Sequence, residues 1–488
     1  GENNVAVGYA GLKANTTGDD NVAVGRDALT ANTTGRNNIA VGTDALTKNT
    51  TGVDNVAIGD SAMADNTTGS NNTAIGNWAL DTNTTGWNNV AVGLDALSNN
   101  TTASYNTAVG FQSVASNTTG DKNTAIGYQS FALNTTGANN TAMGYWALVN
   151  NTTASNNTAV GYAALASNTT ATENTAVGGG ALFNNTIGGY NTAVGYAAIS
   201  TNTTGSYNTA LGRNALLANT TADNNTAVGH YTLASNTTGT ENSGYGAGAL
   251  AANTTGGYNT GVGYSALNAN TTGDLNVAVG GNSLDANTSG DANTAIGYNS
   301  LTANTTGNYN TAVGYDALNG NTTGVENTAI GNGALKLNTT GGYNTAIGRI
   351  SLNRNTSGQL NTAIGYNALL LNTTGTSNTA IGLNALSYNT TASYNTAIGS
   401  NALGDANRTA DVNAYNTAIG YAAGNAGTND ITTGDKNVLV GASTAASAAT
   451  ASNQIVIGYG ASGHGDNIAV IGNGSLTAIH PSDDNEVD

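Results

Sequence analysis

The sequence predicts an all-β chain, a β-solenoid that completes one coil every 17 residues. Three observations predict it: a five-residue segment that returns at a fixed interval, an apolar pattern locked to that interval, and charge confined to a few windows of it. The segment is Asn-Val-Ala-Val-Gly at residues 4–8 and Asn-Thr-Ala-Ile-Gly in many later copies. Its closing glycine falls at Gly8, Gly25, Gly42, Gly59 and Gly76 and continues without a slip to Gly399, giving 24 consecutive copies. A period this strict means one structural unit stacked on itself, because each copy must present the same shape to the next.

With the Asn of this segment as position zero, the elements of one coil follow in order. Position +3 is Val or Ile (Val7, Ile126, Ile364), with Met143, Leu211 and Tyr245 as exceptions. Val, Ile and Thr beside a Gly corner favour a short strand from zero to +4. Position +7 is usually Ala, and +8 is apolar in every copy, from Leu12 through Met63, Val114, Phe131 and Ile199 to Leu403. Positions +11 to +13 read Asn-Thr-Thr, as at Asn15-Thr16-Thr17. Every Asp, Glu, Lys and Arg of these copies sits at −2 or −1, at +5 or +6, or at +9 or +10 (Asp19, Asp20, Glu173; Arg26, Asp27; Lys13, Lys48). Charged side chains are rarely buried unpaired, so these windows read as solvated corners of a three-sided coil. The stretch from +5 to +9 is too short for a stable helix, although a single helical or 3₁₀ turn there is open. Rungs about 4.8 Å apart would stack about 28 coils into a rod on the order of 130 Å long.

Composition narrows the class. Only 8% of residues are charged, 67 are glycine, one is proline (Pro481) and none is cysteine. Disulfides and thiolate metal sites are therefore excluded, and low charge argues against disorder driven by self-repulsion. A net charge of −17 with eleven Lys and Arg speaks against nucleic acid. No run of 18 apolar residues would span a membrane. The chain opens in mid-repeat at Gly1 with no initiator Met, which reads as a processed protein or a segment of a longer one.

One chain gives a thin core. Alternation along the strand puts +1 and +3 on one face and zero, +2 and +4 on the other, and neither face carries a charge in any copy. A sheet free of charge on both sides is expected to be covered on both sides, one cover being the chain's own coil and the other most simply a second copy. Parallel association about the fibre axis is one closed arrangement. A lone solenoid packed tightly through Ala and Gly is the alternative. The residues expected to stack in register include Asn4, Val7, Gly8, Leu12 and Asn15, and in later coils Asn123, Ile126, Gly127, Asn361, Ile364 and Gly365.

The units Asn123-Thr124-Ala125-Ile126-Gly127-Tyr128 and Asn361-Thr362-Ala363-Ile364-Gly365-Tyr366 resemble the repeats in the heads of trimeric autotransporter adhesins, whose signature is a small-Val-Ala-Ile-Gly strand. The longer form with Ala-Leu and Asn-Thr-Thr-Gly is also similar to repeats of bacteriophage tail fibres. The resemblance covers essentially residues 1–476, although adhesin heads commonly have shorter coils with Ser-rich turns. It implies a left-handed parallel β-roll, a parallel homotrimer, and an extracellular fibre on a cell or virion that attaches to a surface.

After Leu403 the rhythm changes: the motif glycines fall at Gly420, Gly441, Gly458 and Gly472. The sequence thus divides into regular repeats (1–403), irregular repeats with two insertions at 404–411 and 424–435 (404–476), and an acidic non-repeat tail (477–488). The insertions read either as tolerated length variation or as loops carrying binding residues. The end is similar to the junction that precedes an intramolecular chaperone in tail fibres of the endosialidase type.

Candidate chemistry is sparse. His230, His464 and His480 are far apart, no phosphate loop occurs, and Asp19-Asp20-Asn21 does not recur rung after rung as a calcium-binding solenoid would need. No enzyme activity, cofactor or metal is expected. The Asn-Thr-Thr units are formal glycosylation acceptors, but their lack of charge favours a stacked amide ladder; facing water, their hydroxyls would instead form the flat array of an ice-binding face. Tyr9, Tyr128, Tyr145, Tyr162 and Tyr196 at +5 either stack along the solenoid or present rings to a glycan. The functional classes left open are an adhesive or tail-fibre-like structural fibre, a self-assembling filament subunit, and a periodic surface that binds ice or a host-cell or environmental glycan.

Overall fold

The computed structural model describes residues 1–406, 413–427 and 429–476. The chain divides into two compact units, Gly1–Thr255 and Gly256–Asp488. Each is a parallel β-solenoid, with no helix among the described residues. The first carries strands β1 (Val5–Val7) to β15 (Ser243–Tyr245), the second β16 (Thr260–Val262) to β28 (Ala469–Ile471). The expected loop at 404–411 and the acidic tail fall largely or wholly outside the described residues.

The coil that begins at Asn123 illustrates how the sequence builds the rung. Thr124, Ala125 and Ile126 form a three-residue strand paired in register with Thr141, Ala142 and Met143 one coil on. Gly127 ends it at φ 137°. Beyond the strand, the backbone amide of Phe131 donates to the carbonyl of Ala147 (2.9 Å), that of Leu133 to Val149 (3.1 Å) and that of Thr135 to Thr152 (2.7 Å). Only the first side of the coil is a strand, yet the other two are also laddered to the next coil.

The turn from +5 to +9 contains no helix. Gln129 at +6 and Phe131 at +8 have φ of 48° and 56°, and the same two positions are left-handed in coil after coil, as at Asp27 and Leu29. Left-handed residues interrupt the i to i−4 bonding a right-handed helix requires. For an L-residue this conformation costs about 1–2 kcal/mol, whereas burying a large apolar side chain gains about 1.5–3 kcal/mol. The strain at +8 is therefore offset because it drives the Leu or Phe wholly into the interior: Phe131, Leu29 and Leu148 are fully buried.

The interior differs from a Val/Ile core. Ala125 at +2, the +7 side chain and Phe131 at +8 are buried together with Asn123 and Asn134. Ile126 at +3 is 38% exposed and Met143 39%. Each regular coil thus contributes one large apolar side chain to the core, and its second points outward.

The buried asparagines form two amide ladders. At position zero, Asn123 Oδ1 accepts from the backbone amide of Asn140 (2.9 Å) and from its Nδ2 (3.2 Å), while Asn123 Nδ2 donates to the carbonyl of Gly137 (2.9 Å). At +11, Asn134 Nδ2 donates to the same Gly137 carbonyl (3.0 Å) and to Asn117 Oδ1 one coil back (2.8 Å). Two side chains of one coil thereby converge on one carbonyl, and each amide also reaches a neighbouring coil.

Near the end of the second unit the core bulk changes walls. Position +8 becomes Gly424, Ala445 and Ser462, while +2, Ala in most regular coils, becomes Leu439 and Val456, both fully buried. A Cβ on Gly424 would lie 2.8 Å from Leu403 Cδ2 and 3.0 Å from Leu439 Cδ1, so neighbouring leucines already fill that place. The second insertion adds Ile431, which is 1% exposed and donates its amide to the Gly424 carbonyl (3.0 Å). Volume-conserving exchange of this kind is tolerated by packed cores.

The +11 ladder stops at Asn389, whose buried Oδ1 has no partner because the next coil carries Ala406 at that position. Ala406→Asn is expected to supply the missing Nδ2 donor and stabilise the second unit by about 1 kcal/mol, the ordinary net value of a hydrogen bond. Denaturant midpoints of the two proteins measure this directly, and an unchanged midpoint would show that the new amide does not reach Asn389.

Candidate functional site

Three surfaces are candidates: the outward strand face, the aromatic files and the exposed threonines. The strand face carries Thr or Val at +1 and Val or Ile at +3. Val7, Ile58, Ile75 and Ile126 in the first unit, and Ile296, Ile330 and Ile398 in the second, are exposed. Ile364, paired with Ile347 and Ile381, belongs to the same outward file and is half-buried. No described strand carries a charge. Fifteen rungs about 4.8 Å apart make a strip on the order of 70 Å long in the first unit, far beyond the scattered apolar residues usual on a monomer.

The tyrosines at +5 stack where the file is continuous. Phe111, Tyr128, Tyr145 and Tyr162 form an offset column with successive centroids 5.1, 5.0 and 5.7 Å apart and interplanar angles of 13°, 8° and 13°. Gly179 interrupts the column, and Tyr196, one coil on, lies against that glycine. Tyr9 is followed by Arg26 and has no ring neighbour among the described residues. At −1, Tyr190 and Tyr207 stack at 4.9 Å, as do Tyr394 and Tyr415 at 5.0 Å.

The Asn-Thr-Thr side is divided by depth. Its Asn is buried and its first Thr half-buried, with Thr135 Oγ1 donating to the Thr152 carbonyl (3.0 Å). Thr119, Thr136 and Thr153, the second threonines of successive coils, are exposed in a single file. The Asn Nδ2 that a glycosyl transfer must reach is thus buried and twice hydrogen-bonded.

Charged groups occupy the corners, and several of them are drawn part-way inward. Lys48 and Glu173 are exposed and Asp27 half-buried, but the Asp316 side chain is only 11% exposed and pairs with Lys336 Nζ at 2.8 Å. The pairing satisfies a carboxylate that the turn has drawn inward. Another cluster places Lys48 Nζ 2.7 Å from Asp65, with Asp81 on the following coil. Burial, then the neighbouring Asp65 charge, pushes the Asp81 carboxyl up to about 6. The folded state therefore holds a proton that the unfolded chain releases, and stability falls as pH rises through 6. Asp81→Asn should melt close to the wild type near pH 4 and measurably higher at pH 8; equal differences at both values would contradict this assignment.

Among the described residues no group of three His, Cys, Asp or Glu could hold a metal ion, and no helix is long and apolar enough to cross a membrane. His230 packs edge-on against Tyr231 at 4.3 Å, and His480 lies outside the described residues.

Sequence reasoning overlooked one arrangement. In the +6 file, Trp146 Nε1 donates to Gln129 Oε1 (3.0 Å), Gln129 Nε2 to Gln112 Oε1 (2.9 Å), and Gln112 Nε2 to Asp95 (3.4 Å). The signal was available as four successive polar or aromatic residues at one position of the period. No protein-family model and no curated protein sequence matches this chain.

Proposed function

We propose that this chain is the shaft of a non-enzymatic extracellular fibre, wound left-handed, in which three parallel copies bury their outward strand faces against one another and hold an attachment surface away from its base. The observation that carries this reading is the uncharged file of Val and Ile at +3, turned out of the coil in both units. Apolar area of this extent on a chain with 8% charged residues favours burial between copies. Identical spacing in every copy lets each rung meet the same rung of its neighbour. The expected product is a particle of three times the 48.2 kDa chain mass, measured by light scattering in line with size exclusion. Aspartates at Ile75, Ile126 and Ile330 should release monomers that keep the far-UV circular dichroism of the parent. A wild-type protein that runs as a monomer at all concentrations would end this reading.

A second reading rests on the exposed threonine file. Regularly spaced Thr hydroxyls suit an ice surface, and thermal hysteresis in the native protein, lost on replacing Thr119, Thr136 and Thr153 by Lys, would favour a periodic binding surface over a structural fibre.

A further inference from the structure

We propose that the first unit carries a saccharide site, a cleft between Trp146 and Phe183 that takes one neutral pyranose ring. The cleft follows from the composition of three consecutive coils. The coil with Asn140 at position zero places Trp146 at +6, Val149 at +9 and Asn150 at +10; the coil from Asn174 places Phe183 at +9. The coil between them has only Ala163, Ala166 and Ser167 at those positions. Small side chains on one rung between two aromatic-bearing rungs leave an open cleft of 340 Å³ lined by Trp146, Phe183, Val149, Asn150, Ala166 and Ser167. That volume lies at the small end of ligand sites.

Trp146 at +6 and Phe183 at +9 stand on alternate rungs, about 9.6 Å apart along the stack and three positions apart around the turn, so they border the cleft from two sides, and its volume suits a single sugar ring. The negative π-face of an aromatic ring attracts the weakly positive C–H groups of a pyranose. Trp146 and Phe183 are both exposed. The indole is held before any ligand arrives, because its N–H is donated along the chain through Gln129 and Gln112 to Asp95. Such preorganisation lowers the ordering cost of binding. The Asn150 carboxamide and the Ser167 hydroxyl, which make no hydrogen bond to other described residues, supply donors and acceptors for sugar hydroxyls.

Nothing lining the cleft is charged, so a uronate or sulfated sugar would lose hydration without gaining a counter-ion. The class is therefore neutral. All of these residues lie on the turn from +6 to +10, away from the strand face, so the site stands independently of the trimer.

The test is saturation-transfer NMR on the full chain with the methyl pyranosides of glucose, galactose, mannose and N-acetylglucosamine at millimolar concentration, with methyl glucuronide as the charged comparison. At least one neutral glycoside should receive saturation. Its affinity should fall about tenfold in Trp146→Ala, the loss expected for one aromatic wall, and equally in Ser167→Phe, which fills the cleft while removing no wall. Tyr309→Ala, which removes an exposed ring of the second unit, should leave it unchanged, and circular dichroism melts verify that each variant is folded. No transfer to any neutral glycoside, transfer indifferent to Trp146→Ala and Ser167→Phe, or equal binding of the glucuronide would each overturn the proposal. Light scattering on the same samples reports the oligomer separately.

Discussion

Asn123→Asp is expected to cost the first unit several kcal/mol at pH 7, more than the removal of any single apolar contact on its surface. The substitution preserves shape and the acceptor that takes the Asn140 amide, but it replaces the Nδ2 donor facing the Gly137 carbonyl by a carboxylate oxygen. A fully buried charge opposite a carbonyl is disfavoured, so the aspartate would stay protonated in the folded state and ionise on unfolding. Its folded pKa is thereby raised, and the stability deficit grows as pH rises above the ordinary carboxylate range. Asn123→Ala is the companion. It leaves the Asn140 amide without its acceptor, a loss of about 1–3 kcal/mol for one buried group, with no pH dependence. Thermal melts of both variants between pH 4 and 8 separate the two effects. A flat pH profile for Asn123→Asp would mean that water reaches the ladder.

Gly127→Ala should be comparably severe. The glycine sits at φ 137°, and an added Cβ would lie 2.5 Å from the carbonyl oxygen and 2.7 Å from the carbonyl carbon of Gly144. Backbone strain of about 1–3 kcal/mol and overpacking of about 1–3 kcal/mol act together, and the obstructing atoms are main chain already bonded into the next rung. The comparison is Gly120→Ala at +14, where other coils already carry Ala103, Ala154 and Ala171. A Cβ on Gly120 would also approach a carbonyl, at 2.2 Å, yet the natural alanines show that the backbone gives way there. Gly120→Ala should therefore change the melting temperature little, while Gly127→Ala opens a protease-sensitive break between neighbouring coils. Equal melting temperatures for the two variants would refute the distinction.

The period, the parallel register and the charge-free segments were readable in the sequence because a repeat averages away the noise of any single residue. Position +3 shows what was not readable. Alternation separates +1 and +3 from zero and +2, but it does not say which set faces inward. Val and Ile would ordinarily claim the interior; here Ala at +2 admits the close approach that the two buried Asn ladders need, and the branched side chains are left outside. The turn at +5 to +9 was ambiguous for a related reason. Leucine has high helix propensity, and nothing in its identity signals a left-handed backbone at Leu29 or Leu46. Trp146 escaped notice because its importance lies in the smallness of Ala163 and Ala166 on the next coil, a contrast visible only when the coils are laid side by side.

The sameness of the joints has a genetic consequence. Within each unit, the contact surface that one regular coil offers its successor recurs after 17 residues, as at Thr124 against Thr141 in the first and Thr362 against Thr379 in the second. Recombination between misaligned copies of the gene, whenever it removes or adds whole sets of seventeen codons, therefore joins two surfaces that already match. Lineages carrying this chain should vary in copy number far more readily than in the length of any one copy.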